Sequence, residues 1–348
     1  MTDTTHLERK GNARGIVRAR LWSAMLAAAM SLATTTVASA QGSAPYASRE
    51  RLPHPVIFQP GTISTADDES HPAFTPDGRT LYFLKNAPRF NHWTIVTSTF
   101  DDGEWSTPEV APFSGQYADA DVFITHDGSS LYFISTRPDE ADGEARENTD
   151  LYVIRREGKD WGEPRRIAEL SSDGNEWFPT LTDQNVIYFG SERHRDNMGK
   201  PGTSDLWRSR LVEGRFTRPE NLGRTINSAG NDIEPYISPD ETFMIFGSSG
   251  RPDSLGAYDL YVTYNCGGRW TQPRNLGEPI NSVAWDFSPR LSPDGRYLFF
   301  TSNRGFGDRT PDRRLDYEEL MKTLHAPGNG LRDIYQVDLS ALNLQPGC

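Results

Sequence analysis

The chain has 348 residues and a formal net charge of −12, with 48 acidic against 36 basic side chains. That excess repels nucleic acid and anionic lipid headgroups, so neither is expected as a partner. Hydrophobic residues make up only 36%, whereas glycine, proline and aromatic residues are plentiful, the balance of an all-β fold with many turns.

The N-terminus reads as an export signal. Arg9, Lys10, Arg14, Arg18 and Arg20 precede an apolar run from Leu21 to Leu32, which is too short to span a bilayer. Ala38-Ser39-Ala40 supplies the small-residue cleavage pattern, so residues 1–40 are expected to be a secretory signal peptide; a retained membrane anchor is the other reading of the same run. The mature chain is then expected in the periplasm or medium of a bacterium, by the general secretory route and with no membrane span. Residues 41–55 are expected to be a flexible lead into the fold.

From there one phrase recurs five times: "HPAFTPDGRTLYFLKN" from His71, "DVFITHDGSSLYFISTR" from Asp121, "FPTLTDQNVIYFGSER" from Phe178, "EPYISPDETFMIFGSSGR" from Glu234 and "SPRLSPDGRYLFFTSNR" from Ser288. Each is a strand, a turn and a strand. In the turn, proline presets φ and glycine tolerates positive φ. The second strand is nearly all apolar, as expected where both faces are covered. A second signature follows, "DLYVIRREGKDWGEP" from Asp150, "DLWRSRLVEGRFTRP" from Asp205 and "DLYVTYNCGGRWTQP" from Asp259, with a worn copy from Thr94 and a truncated one from Asp333. Each unit therefore reads as four strands, a to d, with d starting at the Trp or Phe after the glycine turn. Strand-b phenylalanines 83, 133, 189, 246 and 300 are spaced as in a repeat architecture, and four-stranded units repeated about a channel make a β-propeller.

The blade number follows from a smaller pattern. An apolar residue stands six positions ahead of an acid in Phe113/Asp119, Leu170/Glu176, Ile226/Asp232 and Ile280/Asp286, and again in Ile63/Glu69 ahead of the first phrase. The segment from Val56 thus resembles a strand d without a blade of its own, while the fifth unit has little chain left for one. Five blades closed by the N-terminal strand are expected over residues 56–348; six would need a blade not visible in the sequence. Closure removes the exposed sheet edges an open ring would leave.

The "SPDGRYLFFTSNR" and "DLYV" phrases resemble the WD40-like propeller repeat called PD40, found in TolB-like periplasmic proteins, over essentially all of residues 56–339. The resemblance implies the fold. For function it implies a range: protein-binding scaffolds, accessory domains of peptidases and, among oligogalacturonate lyases, enzymes. No Gly-x-Ser-x-Gly elbow occurs, and His71, His92, His126, His194 and His325 are scattered without metal-ligand spacing.

Three charges recur in each unit. An acid precedes strand a (Glu69, Asp119, Glu176, Asp232, Asp286), a base follows strand b (Arg137, Arg193, Arg251, Arg304, with Lys85 in the first unit), and an acid starts strand c (Asp150, Asp205, Asp259, Asp333). All three fall on one face of the disc and are expected to pair into a network that pins the blades. The same carboxylates could alternatively hold a sugar or a channel-bound cation such as calcium; otherwise no metal or cofactor is expected.

Function is expected where the repeats disagree. Around the proline of strand a, or Val122 in the second unit, stand His71, Asp121, Glu234, Tyr236 and Arg290, a set placed near the inner mouth and suited to a polar small molecule or sugar. Asp121 and Glu234 are the candidate acid/base pair if the protein is a glycan-active hydrolase or lyase, in which case one deep pocket should join them to Tyr236 and Arg290. The long b–c loops, 138–149, 194–204 and 305–332, share a face, and recognition usually sits on such loops. The last contains a predicted helix at about 312–325 whose stripe of Tyr317, Leu320, Met321 and Leu324 would pack on the propeller, lid the channel or meet a partner. On the opposite face Cys266 and Cys348 are placed to form a disulfide, which an oxidising compartment permits. The reading is a monomeric, exported, non-catalytic propeller that binds a protein or cell-envelope glycan through its long-loop face, with glycan hydrolysis or lysis as the alternative.

Overall fold

The computed structural model describes residues 44–87, 91–139, 143–193, 196–308, 310–342, 344 and 348. The expected signal peptide and parts of all three long b–c loops, His194 among them, lie outside them. The described chain is a five-bladed β-propeller of antiparallel sheets. Strands a, b and c are Asp68–Phe74, Thr80–Ala87 and Asn91–Asp101 in blade one, and Asp119–Ile124, Ser130–Ser135 and Asp150–Glu157 in blade two. They are Glu176–Leu181, Val186–Ser191 and Asp205–Val212 in blade three, Asp232–Ile237, Phe243–Ser248 and Asp259–Tyr264 in blade four, and Asp286–Leu291, Tyr297–Ser302 and Asp333–Asp338 in blade five.

The ring closes at the N-terminus. Val56–Ile57 pairs antiparallel with strand c of blade five, Val56 opposite Gln336 and Ile57 opposite Tyr335. Residues 44–55, expected to be a flexible lead, are instead tied down. Tyr46 is buried with its ring 5.3 Å from that of Phe74, Gln336 Nε2 donates to Tyr46 O at 2.7 Å, and Leu52 N donates to Asp338 at 2.9 Å.

The outer strand differs from the sequence reading. In blades one to three the Trp or Phe after the glycine turn only extends the c–d hairpin, as in Glu104–Trp105, Asp160–Trp161 and Arg215–Phe216. Pairing with the middle of strand c resumes at Glu109–Val110, Arg165–Arg166 and Glu220–Asn221. Pro108, Pro164 and Pro219 lie between the two pieces, and proline has no N–H for the ladder.

The turn between strands a and b has a side-chain mechanism beyond proline and glycine. Asp77 accepts from Thr75 Oγ1 at 2.6 Å and from Arg79 N at 3.0 Å, and Asp127 and Asp294 repeat this arrangement. Where the glycine is lost, Asn185 and Glu241 take the same left-handed conformation.

The helix of the 305–332 segment, α1, spans Tyr317–Leu324 and starts later than the sequence suggested. Asp316 rather than Pro311 begins it, because the Asp316 side chain accepts from Glu319 N while the Glu319 side chain accepts from Asp316 N, a capping box. None of its residues is buried, and Tyr317 is 75% exposed. Among the described residues no helix is long and apolar enough to cross a membrane. Cys266 and Cys348 are disulfide-bonded with Cα atoms 5.5 Å apart, which fastens the C-terminus to the c–d turn of blade four.

Candidate functional site

The repeated charges form two systems rather than one. In the first, Arg137 donates to Asp119 at 2.8 Å and to Phe113 O at 2.8 Å. Arg251 donates to Asp232 at 2.7 Å and to Ile226 O at 2.5 Å, and Arg193 and Arg304 make the equivalent pairs with Glu176 and Leu170 O and with Asp286 and Ile280 O. The six-residue spacing of the apolar residue and the acid is thus the span that one guanidinium bridges. Each arginine also lies over a ring of strand b and a ring of strand c, Arg251 for instance over Phe246 and Tyr261 at 5.5 and 5.0 Å. The repeated aromatics of strands b and c are therefore the platform for this clamp. In blade one Lys85 takes the role, 2.6 Å from Glu69.

The strand-c acids do not join that clamp, contrary to the sequence expectation. Asp205 and Asp259 accept from Asn221 and Asn275 of the outer strand at 2.7 Å each, and from Met198 N and Leu255 N of their own b–c loops. Asp150 bonds Arg166 of the outer strand at 2.7 Å, and Asp333 accepts Gly328 N at 2.8 Å. They fasten loops and outer strands.

The positions where the repeats disagree share a backbone irregularity. His71, Asp121, Phe178, Glu234 and Ser288 have φ of 56°, 60°, 47°, 55° and 52°, each inside a register shift of strand a. A β-bulge re-aims a side chain, and left-handed backbone in a residue other than glycine costs about 1 kcal/mol or more. The bulge is written into all five blades, but its side chain is chosen blade by blade.

Three of these side chains meet. His71 Nε2 lies 3.2 Å from Asp121 Oδ1 and 3.1 Å from Glu234 Oε1, while its Nδ1 is 2.8 Å from Ser70 Oγ. Phe178 N donates to Asp121 Oδ2 at 2.9 Å. Ser288 donates to Glu234 Oε2 through both N and Oγ, at 2.6 and 2.8 Å. Burial pushes the Asp121 carboxyl up to about 6, opposed by the His71 ring beside it.

A second layer lies next to it. The Arg290 guanidinium stacks on the Phe178 ring at 3.8 Å, and its Nη2 donates to Val122 O at 3.0 Å. Burial draws its pKa down to about 9. Tyr236 is buried in the same layer, and burial raises its hydroxyl pKa.

The site residues thus plug the channel instead of lining an open mouth, and the single pocket expected to join them is divided. Asp121, Glu234 and His71 border a cavity of about 350 Å³, whereas Tyr236 and Arg290 border a separate one of about 390 Å³ beside the a–b turns. The first cavity also has Trp93, Trp177, Tyr258, Trp285 and Phe287 around it, with Glu192 and Arg332. Sequence reasoning missed these aromatics. The available signal was that Trp177, Phe287, Trp285 and Tyr258 stand directly beside the repeated acids, at points where most blades carry small, polar or aliphatic residues. Arg332, from the same class of position, is held by Asp68 through Nε and Nη2 at 2.6 and 2.5 Å. Among the described residues no group of three or more His, Cys, Asp or Glu is arranged to hold a metal ion.

The fold places the chain among five-bladed β-propeller proteins. No protein-family profile matches it, and no curated protein does. Among solved structures it is similar to TolB from Acinetobacter baumannii, at 15% identity and a TM-score of 0.44, covering 78% of this chain and 54% of that one. It is also similar to an α-L-arabinofuranosidase from Lactobacillus brevis, at 13% identity and a TM-score of 0.48, covering 80% and 92%. A periplasmic gluconolactonase from Pseudomonas aeruginosa aligns at 15% identity and a TM-score of 0.38, covering 67% and 64%.

Proposed function

We propose that this protein is an exported, non-catalytic propeller that binds a cell-envelope glycan on its long-loop face, in the aromatic-walled cavity above His71, Asp121 and Glu234. The observation that carries this reading is the make-up of that cavity: indole and phenol rings of Trp93, Trp177, Tyr258 and Trp285 around a polar floor. Aromatic rings take the C–H faces of a sugar, and a few fixed polar groups orient it. Trp177 and Trp93 come from strands a and c, Trp285 immediately precedes strand a of blade five and Tyr258 ends a b–c loop; Trp285 is 46% exposed, so this wall is open to a ligand.

Titration of the mature protein with envelope oligosaccharides, followed by tryptophan fluorescence and calorimetry, tests the reading. Saturable binding is expected, weakened roughly tenfold by Trp177→Ala or Trp285→Ala. Absence of binding by any glycan, with capture of an envelope protein instead, would transfer the face to a protein partner.

One observation favours a second reading, glycan hydrolysis or lysis. Asp121, held up to about 6 by burial, borders the cavity beside a second carboxylate, the pairing an acid/base mechanism uses. Release of new reducing ends that Asp121→Asn abolishes while glycan binding persists would establish it.

A further inference from the structure

A second site lies on the far side of the plug. Arg290 is 4% exposed, and its Nε and Nη1 have no hydrogen-bond partner among the described residues. An unpaired buried cation is costly, because the surroundings return little of its lost hydration. Its Nη2 alone is engaged, by carbonyl oxygens of Val122 and, at 3.5 Å, Pro179. Asp121 and Glu234 act on it through their fields from the other layer, without an ion pair within 4 Å. Arg290 lines the cavity of about 390 Å³ together with Tyr236, whereas most of the remaining wall is apolar, including Phe74, Phe123, Phe243 and Leu291. Arg290 borders this largely apolar chamber while its two unpaired donors are sealed from solvent beside it, so a modest turn of the side chain would offer them to a ligand with one anionic head and an apolar body.

We propose that this cavity binds a small monocarboxylate with an aliphatic or aromatic body, its carboxylate on Arg290 and its body against the phenylalanines. The site is independent of the glycan reading and opens elsewhere on the molecule. Binding restores a counter-charge to the guanidinium, whose pKa burial has drawn down to about 9.

The test uses hexanoate as probe, with hexan-1-ol and sodium chloride as controls, on the mature protein. Hexanoate is expected to raise the melting midpoint saturably, by roughly 5 °C at a hundredfold excess over its dissociation constant, and neither control should reproduce this. Arg290→Met should abolish the shift, and Trp177→Ala should leave it intact. Because Arg290→Met changes a buried residue, a second measurement uses the unaltered protein: the Arg290 Nε–H resonance should move with hexanoate and not with hexan-1-ol. An equal shift with hexan-1-ol, a shift that survives in Arg290→Met, or an Nε–H resonance that hexanoate leaves in place would each overturn the proposal; in the last case the two N–H groups are served by buried water alone.

Discussion

Two acids two residues apart, Asp232 and Glu234, are expected to respond differently to loss of charge. Asp232 is fully buried, and each of its oxygens is used: Oδ1 by Arg251 and Ser248, Oδ2 by Ser228 N and Oγ. Asp232→Asn removes the charge opposite a largely buried guanidinium and turns one acceptor into a donor facing another donor. Breaking a buried pair from one side costs about 3–5 kcal/mol, so the melting midpoint should drop by roughly 10 °C. Glu234→Gln is different. A Gln oxygen can still accept from Ser288, while the new NH₂ faces His71 Nε2, which retains Asp121. The midpoint should move by less than about 2 °C, whereas glycan affinity should fall. Equal losses of stability in the two variants would make Glu234 one more pinning residue. The contrast also marks what the sequence could reveal. Repetition set Asp232 and its kin apart as expected pinning residues and singled out Glu234 as unrepeated. It could not reveal that strand a bulges there. That conformation arises from three-dimensional register, and five different residue types adopt it.

At the scale of elements, closure rests on very few residues. Among the described N-terminal residues only Val56 and Ile57 pair as a strand with blade five, followed by one bond from Phe58 N to Ile334 O at 2.8 Å. Phe58 then seats its ring 5.1 Å from that of Phe299 in blade five and 6.0 and 6.1 Å from those of Phe74 and Trp105 in blade one. The clasp is therefore as much an aromatic wedge between the first and last blades as a sheet edge. Phe58→Ala should cost about 3–5 kcal/mol, and hydrogen exchange should rise first in strands a of blade one and c of blade five. Uniform loss of protection through all blades would show that the ring opens only with global unfolding. This closure was legible because the Ile63/Glu69 pair repeats the blade-boundary spacing, and the clamp explains why that spacing is rigid. The strand-c acids were misread for a related reason. Spacing placed them on the correct face, but their partners Asn221 and Asn275 are neutral and lie in an outer strand that charge matching does not reveal.

For the whole molecule, the same burial that builds the clamps sets the response to pH. Burial pushes Glu176 and Asp333 up to about 7 and Asp121 to about 6, and raises Asp119 and Asp205 as well. In the unfolded chain these carboxyls ionise near 4. Between about pH 4 and 7 the folded protein thus holds more protons than the unfolded one. Its stability must fall as pH rises through that window, and return on acidification. The net charge of −12 acts in the same direction, since ionising further carboxyls increases self-repulsion in the compact state. Opposing groups titrate lower. Asp67, bonded by Lys85, and Asp127, bonded by Thr125, are held below their usual range, and their contribution is lost only as pH drops below about 4. The melting midpoint should therefore peak near pH 4 and decline toward pH 8, where a protein with ordinary carboxylates would be flat. Salt separates the two causes. At 1 M ionic strength the Debye length is about 3 Å, which screens the surface charge but not the buried carboxyls, so most of the slope should survive. Asp121→Asn should remove its own share of the slope between about pH 4 and 6 while leaving the part due to Glu176 and Asp333. A midpoint that rises from pH 5 to 8, or a slope that vanishes in salt, would mean that the buried acids are ionised in the folded protein and that the plug and clamps hold charge better than their burial implies.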